Sequence, residues 1–143
     1  MDLVTLFEND LDKLIVEISL FKDEASVWTT KEGITNSAGN LALHLIGNLN
    51  HFIGKTLGDS GYERKRDDEF SLKNIPREKL ISDINDLKGT IKNIIPKLSS
   101  EDLKKDFPLA IRDEVFSTQV MLIYLLAHLN YHLGQVNYLR RMM

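Results

Sequence analysis

Apolar residues recur at intervals of three and four along most of this 143-residue chain, and the spacing divides it into four amphipathic segments. In the first, Leu3, Phe7, Leu11, Leu14, Ile18 and Phe21 make one stripe, with Glu8, Asp12, Lys13 and Glu17 between them. It ends before Trp28, in TTKEGITNSAGN, a run of capping and turning residues. Asn36 or Ser37 suits the N-cap of a second helix over about 37–57, closed by Gly58. DSGYERKRDDEFSLKNI then reads as a long polar loop. Pro76 takes the first position of a third helix, whose stripe is Leu80, Ile84, Leu87, Ile91, Ile94 and Ile95, until Pro96 disrupts it. A short helix is predicted around Glu101–Lys105, then a break at Pro108. The last helix, from about Glu114 to Arg140, is the most hydrophobic. No segment alternates apolar with polar, so no strand is predicted. Four long helices and three connections predict an all-α fold, a four-helix bundle forming a single domain over residues 1–143.

Composition narrows the function classes. The chain is long enough for a real core, with 43% hydrophobic and 27% charged residues in ordinary globular balance. Its net charge is −3 and no lysine/arginine stripe appears, so the electrostatic footprint of a nucleic-acid binder is missing. There is no cysteine, which excludes thiolate nucleophiles and thiolate-bound metals. The acidic N-terminus lacks the order of a signal peptide, and no apolar run reaches the roughly 18–20 residues of a membrane span; a cytoplasmic location is expected.

All four histidines fall on two of the predicted helices: His44 and His51 on the second, His128 and His132 on the fourth. Residues four apart share a helix face, so His128 and His132 project together. His44 and His51, seven apart, also share an azimuth. One of them could meet the 128/132 pair across the core, and three neutral imidazoles would hold a divalent first-row ion with a position left open. On spacing alone this reading stands level with a simpler one, in which the histidines are hydrogen-bonded residues of the interior. Two sharper motifs are absent. HExxH needs Glu at position 129, which is Leu; the ferritin-like Glu-x-x-His needs Glu at 41 and 125, both Leu. Haem between two histidines is left open without support.

LALHLIGNLNHFIG and AHLNYHLGQVNYLRR, with Trp28 upstream and the loop GYERKRDDEF, resemble the DinB-like (damage-inducible) superfamily over nearly the whole chain, in a branch known mainly as uncharacterised domains. The strongest marker is H-x-x-x-H-x-G-Q, matched by His128, His132, Gly134 and Gln135. The resemblance implies a four-helix bundle that binds one divalent metal, commonly zinc or nickel, through His44, His128 and His132. It also implies a homodimer, and an activity akin to metal-dependent S-transferases or isomerases that use a low-molecular-weight thiol. Nucleic acid and membrane are not expected partners.

Several further residues carry two readings each. Gln135 orients a ligand or merely caps; Asn48, one turn from His44 and His51, lines a cleft or bridges helices; His51 is a substitute ligand, a supporting partner or a cleft group. Glu17 supplies a carboxylate near the site or, as its spacing favours, lies on a solvated face. The run Arg64–Glu69 is expected as solvated loop, with a cover over the site or a contact for an acidic substrate as its alternatives. Gly47 and Gly134 are expected to let neighbouring backbones approach or to serve packing alone. Arg140 and Arg141 suit the negative end of a helix dipole. The rival functions are a helical binding or dimerisation module with structural histidines, and a metal-dependent hydrolase.

Overall fold

The computed structural model describes residues 1–143, and it is all-helical. Helix α1, Leu3–Ser19, starts where the Asp2 carboxylate accepts the Thr5 amide at 2.9 Å, and it buries Phe7, Leu11, Leu14 and Ile18 as its stripe requires. Phe21 is buried too, just beyond the helix. A one-turn helix α2, Glu24–Val27, held by a capping box of Asp23 and Ser26, stands apart from α1 in the stretch before Trp28 where the first segment is expected to end. Trp28 closes α2 and lies flat on Gly39, where an added Cβ would sit 2.7 Å from the indole.

Helix α3, Ala38–Leu49, takes Ser37 as its N-cap and is buried along almost its whole length. It does not run on as an α-helix to residue 57. From Asn50 to Lys55 it widens into a π-helix, with Thr56 N–H reaching back five residues to the His51 carbonyl. The expected polar loop is likewise interrupted, by α4 at Arg66–Ser71, which packs across α3. Asn40 pins this short helix: its amide donates to the carbonyls of Glu69 and Leu72 at 3.0 and 2.8 Å.

Helix α5 spans Arg77–Ile94, with Pro76 in the capping position rather than the first helical one. A 3-10 turn at Ile95–Lys97 follows, carrying Pro96. After α6, Ser100–Lys104, the chain runs irregularly to Ser117. Helix α7, Thr118–Met142, begins four residues later than the sequence predicts. Residues 114–117 are committed elsewhere: Phe107 N–H bonds the Phe116 carbonyl, Thr118 N–H bonds Lys105, and Ser117 caps the helix. Two isolated bridges in this stretch are the only β-type pairings, and no strand forms.

Helix α1 packs on α5 and α7, and α3 packs on α7, α5 and α4. Their inward faces share one core that includes Phe7, Leu45, Leu87, Ile91, Leu125 and Leu129. Each such side chain contributes about 1.5–3 kcal/mol on leaving water. The expectation of a solvated Glu17 fails here. Its carboxylate is largely covered, accepting a hydrogen bond from Asn137 at 2.7 Å and pairing with Arg140, which therefore does more than face a helix dipole. No helix is long and apolar enough to cross a membrane.

Candidate functional site

The packing of α3 on α7 brings three of the four histidines together. His44 Nε2 lies 3.2 Å from His128 Nε2, which lies 3.1 Å from His132 Nε2, and all three nitrogens fall within 4.8 Å of one another. The rings stand nearly perpendicular, at 78°, 89° and 88°, with centroids 4.5–5.2 Å apart, so they meet by their edges and do not stack.

The outer nitrogens show how these edges are protonated. His44 Nδ1 is 3.0 Å from Glu69 Oε1. Glu69 also receives Arg64 as a fork, Nε to Oε2 and one terminal nitrogen to Oε1, both at 2.9 Å. Burial opposes ionisation of this carboxyl. The hydrogen bonds from His44 and Arg64 and the Arg64 charge outweigh it, so its pKa lies below the usual value. An ionised carboxylate only accepts, so His44 Nδ1 carries a proton, and the neutral ring in this arrangement presents its lone pair at Nε2. On α7, His132 Nδ1 lies 2.6 Å from Gln135 Oε1, an arrangement that fixes the same tautomer. His128 Nδ1 is buried and has no partner. Burial, with the neighbouring His132, His44 and Arg64 charges, lowers the His128 pKa to about 4, and burial also lowers that of His132. Those two rings are therefore neutral at pH 7, which is the form that ligates a metal.

A small side chain at position 47 makes room for the supporting carboxylate. A Cβ on Gly47 would lie 1.9 Å from Glu69 Oε2, so this glycine admits a side chain, not a neighbouring backbone. Gly134 has open space around it and serves no close approach at all.

The remaining predicted residues separate. Gln135 supports His132. Asn48 is buried beside the group, makes no side-chain hydrogen bond, and lines a cleft of about 190 Å³ that opens onto His44 and His128. His51 stays outside the histidine group, on the π-helix, edge-on to Phe52 with its Nδ1 unpartnered. Burial and the Arg64 and Lys55 charges lower its pKa. Sequence reasoning missed Glu69 and Arg64 as partners of His44. Their one signal was their place in the polar run after the histidine-bearing helix, and the expectation of a solvated loop there is corrected: Glu69 is only 5% exposed.

Two neutral rings and a carboxylate-tethered third, with nitrogens turned inward, are a donor set that could hold a metal ion; the molecule is an all-helical domain with a three-histidine cluster. Its residues 6–143 match the family model described as "Protein of unknown function (DUF1572)", and the chain belongs to that family. No curated protein matches it.

Proposed function

We propose that this protein is a metal-dependent enzyme of the DinB-like kind, with its four long helices arranged as a four-helix bundle. His44, His128 and His132 bind one divalent ion, zinc or nickel. The observation that carries this reading is the inward convergence of three Nε2 atoms whose outer nitrogens are, in two cases, tied to Glu69 and Gln135. Lone pairs facing one another at 3.1–3.2 Å repel unless a proton or a cation lies between them. Ligands about 2.0–2.1 Å from a tetrahedral ion would themselves be about 3.3 Å apart, close to the two short separations here.

Three protein ligands leave a position free, and a bound ion there supplies a Lewis acid able to hold a thiolate or polarise an oxygen. The chain's own residues define the rest. Glu69 and Gln135 hold His44 and His132 in the ligating tautomer and orientation, as outer partners of metal-bound imidazoles do. Phe52, Ile111, Met121 and Leu125 give the adjoining cleft an apolar side. No carboxylate lines it, so no side chain is placed as a carboxylate base for hydrolysis. A hydroxide on the ion would need no such base, so the hydrolase stays the alternative to transfer to or from a low-molecular-weight thiol. Homodimerisation belongs to the same reading. Val120, Ile123, Tyr131 and Tyr138 leave the outer face of α7 apolar and uncovered, and sedimentation at micromolar concentration measures the pairing directly.

The decisive experiment is elemental analysis of protein purified without a histidine tag. One zinc or nickel per chain is expected, and His128→Ala should lose it while remaining helical. Full retention of bound metal by His128→Ala would refute the assignment, and a folded wild type that refuses both ions would favour the non-catalytic module.

A further inference from the structure

The cleft beside the histidines has an uneven charge. Two arginines, Arg64 and Arg66, reach its lining, and no acidic residue does. Arg64 is spent, forked onto Glu69. Arg66 belongs to none of the molecule's ion pairs. Its guanidinium instead lies 5.3 Å from the centroid of Phe70, and the Phe70 ring lies 5.0 Å from that of His44. Cation–aromatic stacking of this kind orients the flat group and leaves its edge donors free.

Asn48 supplies a second unsatisfied group. It is 8% exposed, and its Oδ1 is sealed from solvent without a partner. A buried carboxamide left unpaired costs about 1–3 kcal/mol, a penalty that a ligand with its own polar group would remove. Across from these two lie Phe52, Ile111, Met121 and Leu125. At about 190 Å³ the space falls below the roughly 300–1,000 Å³ of drug-sized pockets, so its occupant is small.

We infer that the cleft takes a small organic monocarboxylate, its carboxylate on Arg66, its polar middle on Asn48 and its far end at the histidine centre. One unpaired arginine carries a single positive charge, which matches a carboxylate better than a doubly charged phosphate. The guanidinium fork donates to both carboxylate oxygens at once. This assignment rests on the metal-site reading for its third contact, while the first two stand on Arg66 and Asn48 alone. In thiol-transfer terms, the preferred thiol is one whose other end is a carboxylate.

The test uses cobalt-loaded protein and three thiols of similar size: 3-mercaptopropionate, 2-mercaptoethanol and cysteamine, with a negative, neutral and positive end. Binding is followed by the thiolate-to-cobalt absorption. The anion should bind about tenfold more tightly than the neutral thiol, and the cation most weakly. Arg66→Gln should reduce the anion's advantage to about twofold or less, with cobalt content and 2-mercaptoethanol affinity unchanged. Equal affinities in the wild type, or an advantage that survives Arg66→Gln, would overturn the inference and leave the metal site intact. Should the protein take up no cobalt, the metal reading fails, and butyrate against butanol on metal-free protein decides the carboxylate. Movement of the Asn48 side-chain amide resonance with butyrate alone, lost in Arg66→Gln, supports it; no such movement overturns it.

Discussion

Two glutamates in this molecule are covered by the fold and answered by an arginine, and they end in opposite conditions. Glu17, on α1, receives Asn137 and Arg140 from α7. Burial opposes its ionisation, but those partners prevail and lower its pKa, and no other group hangs on the pair. Glu69, on α4, receives Arg64 and His44, and the His44 ring passes the arrangement on, with Nε2 aimed at His128. The first pair closes on itself and joins two helices. The second leaves a lone pair over. A covered charge pair is thus ordinary construction when every atom is used, and points to chemistry when one partner retains an unspent donor atom.

The largest expected effect separates the two glutamates directly. Glu69→Gln should weaken metal binding about 10- to 100-fold, the usual cost of losing a carboxylate behind a ligating histidine. Glu17→Gln should leave metal affinity within about twofold and instead lower the unfolding free energy by about 1–2 kcal/mol, because a charge-assisted bond is exchanged for a neutral one. Competition with a chelator and chemical denaturation measure the two quantities; equal metal losses would erase the distinction.

Glycines sharpen it further. Gly47→Ala keeps the Glu69 carboxylate but drives a methyl into the space it occupies. Metal affinity should fall about tenfold as the carboxylate moves off His44. Gly134→Ala, on the same helix as His132 but with nothing around it, should leave metal affinity unchanged and raise stability by about 1 kcal/mol. Chelator competition and thermal melts read both.

A separate effect is one of pH on metal-free protein. The folded His128 pKa of about 4 lies below its ordinary 6.5, so between these values the unfolded chain binds the extra proton. Unfolding free energy should therefore fall as pH drops from about 6.5 towards 4, and His128→Ala should flatten that slope. Denaturant titrations across the window check it; an unchanged slope in the variant would assign the effect to other groups.

The four stripes of the sequence place the long helices well, because Phe7, Leu11, Leu14 and Ile18, or Leu80, Ile84, Leu87 and Ile91, are each buried for the reason their spacing announces. The short helix α4 escaped because it buries a glutamate and not an apolar face, and hydrophobic periodicity is blind to that. The start of α7 was misplaced by hydrogen bonds from Lys105 and Phe107 that no local pattern encodes. At the site, phase along α3 and α7 was enough to bring His44, His128 and His132 into one group. It was not enough to exclude His51, because a shared phase says nothing of height: seven residues at about 1.5 Å each set His51 about 10 Å along the axis from His44. Glu69 is 25 residues from His44 in sequence, so their contact is a property of the tertiary fold alone.

That π-helix also bears on how the chain tolerates changes of length. In a regular α-helix each residue turns the axis by about 100°, so His44, Asn48 and a residue at 52 would drift steadily round it by about 40° per step. The wider turn at 50–55 advances less per residue, and Phe52 stays on the wall of the same cleft as His44 and Asn48. Deleting a single residue there would restore the tighter winding, and because the wide turn holds one residue more than an α-helical turn, everything downstream would keep its direction. Helix α3 would survive such a shortening, and the change would fall on Phe52 and the wall it gives the cleft.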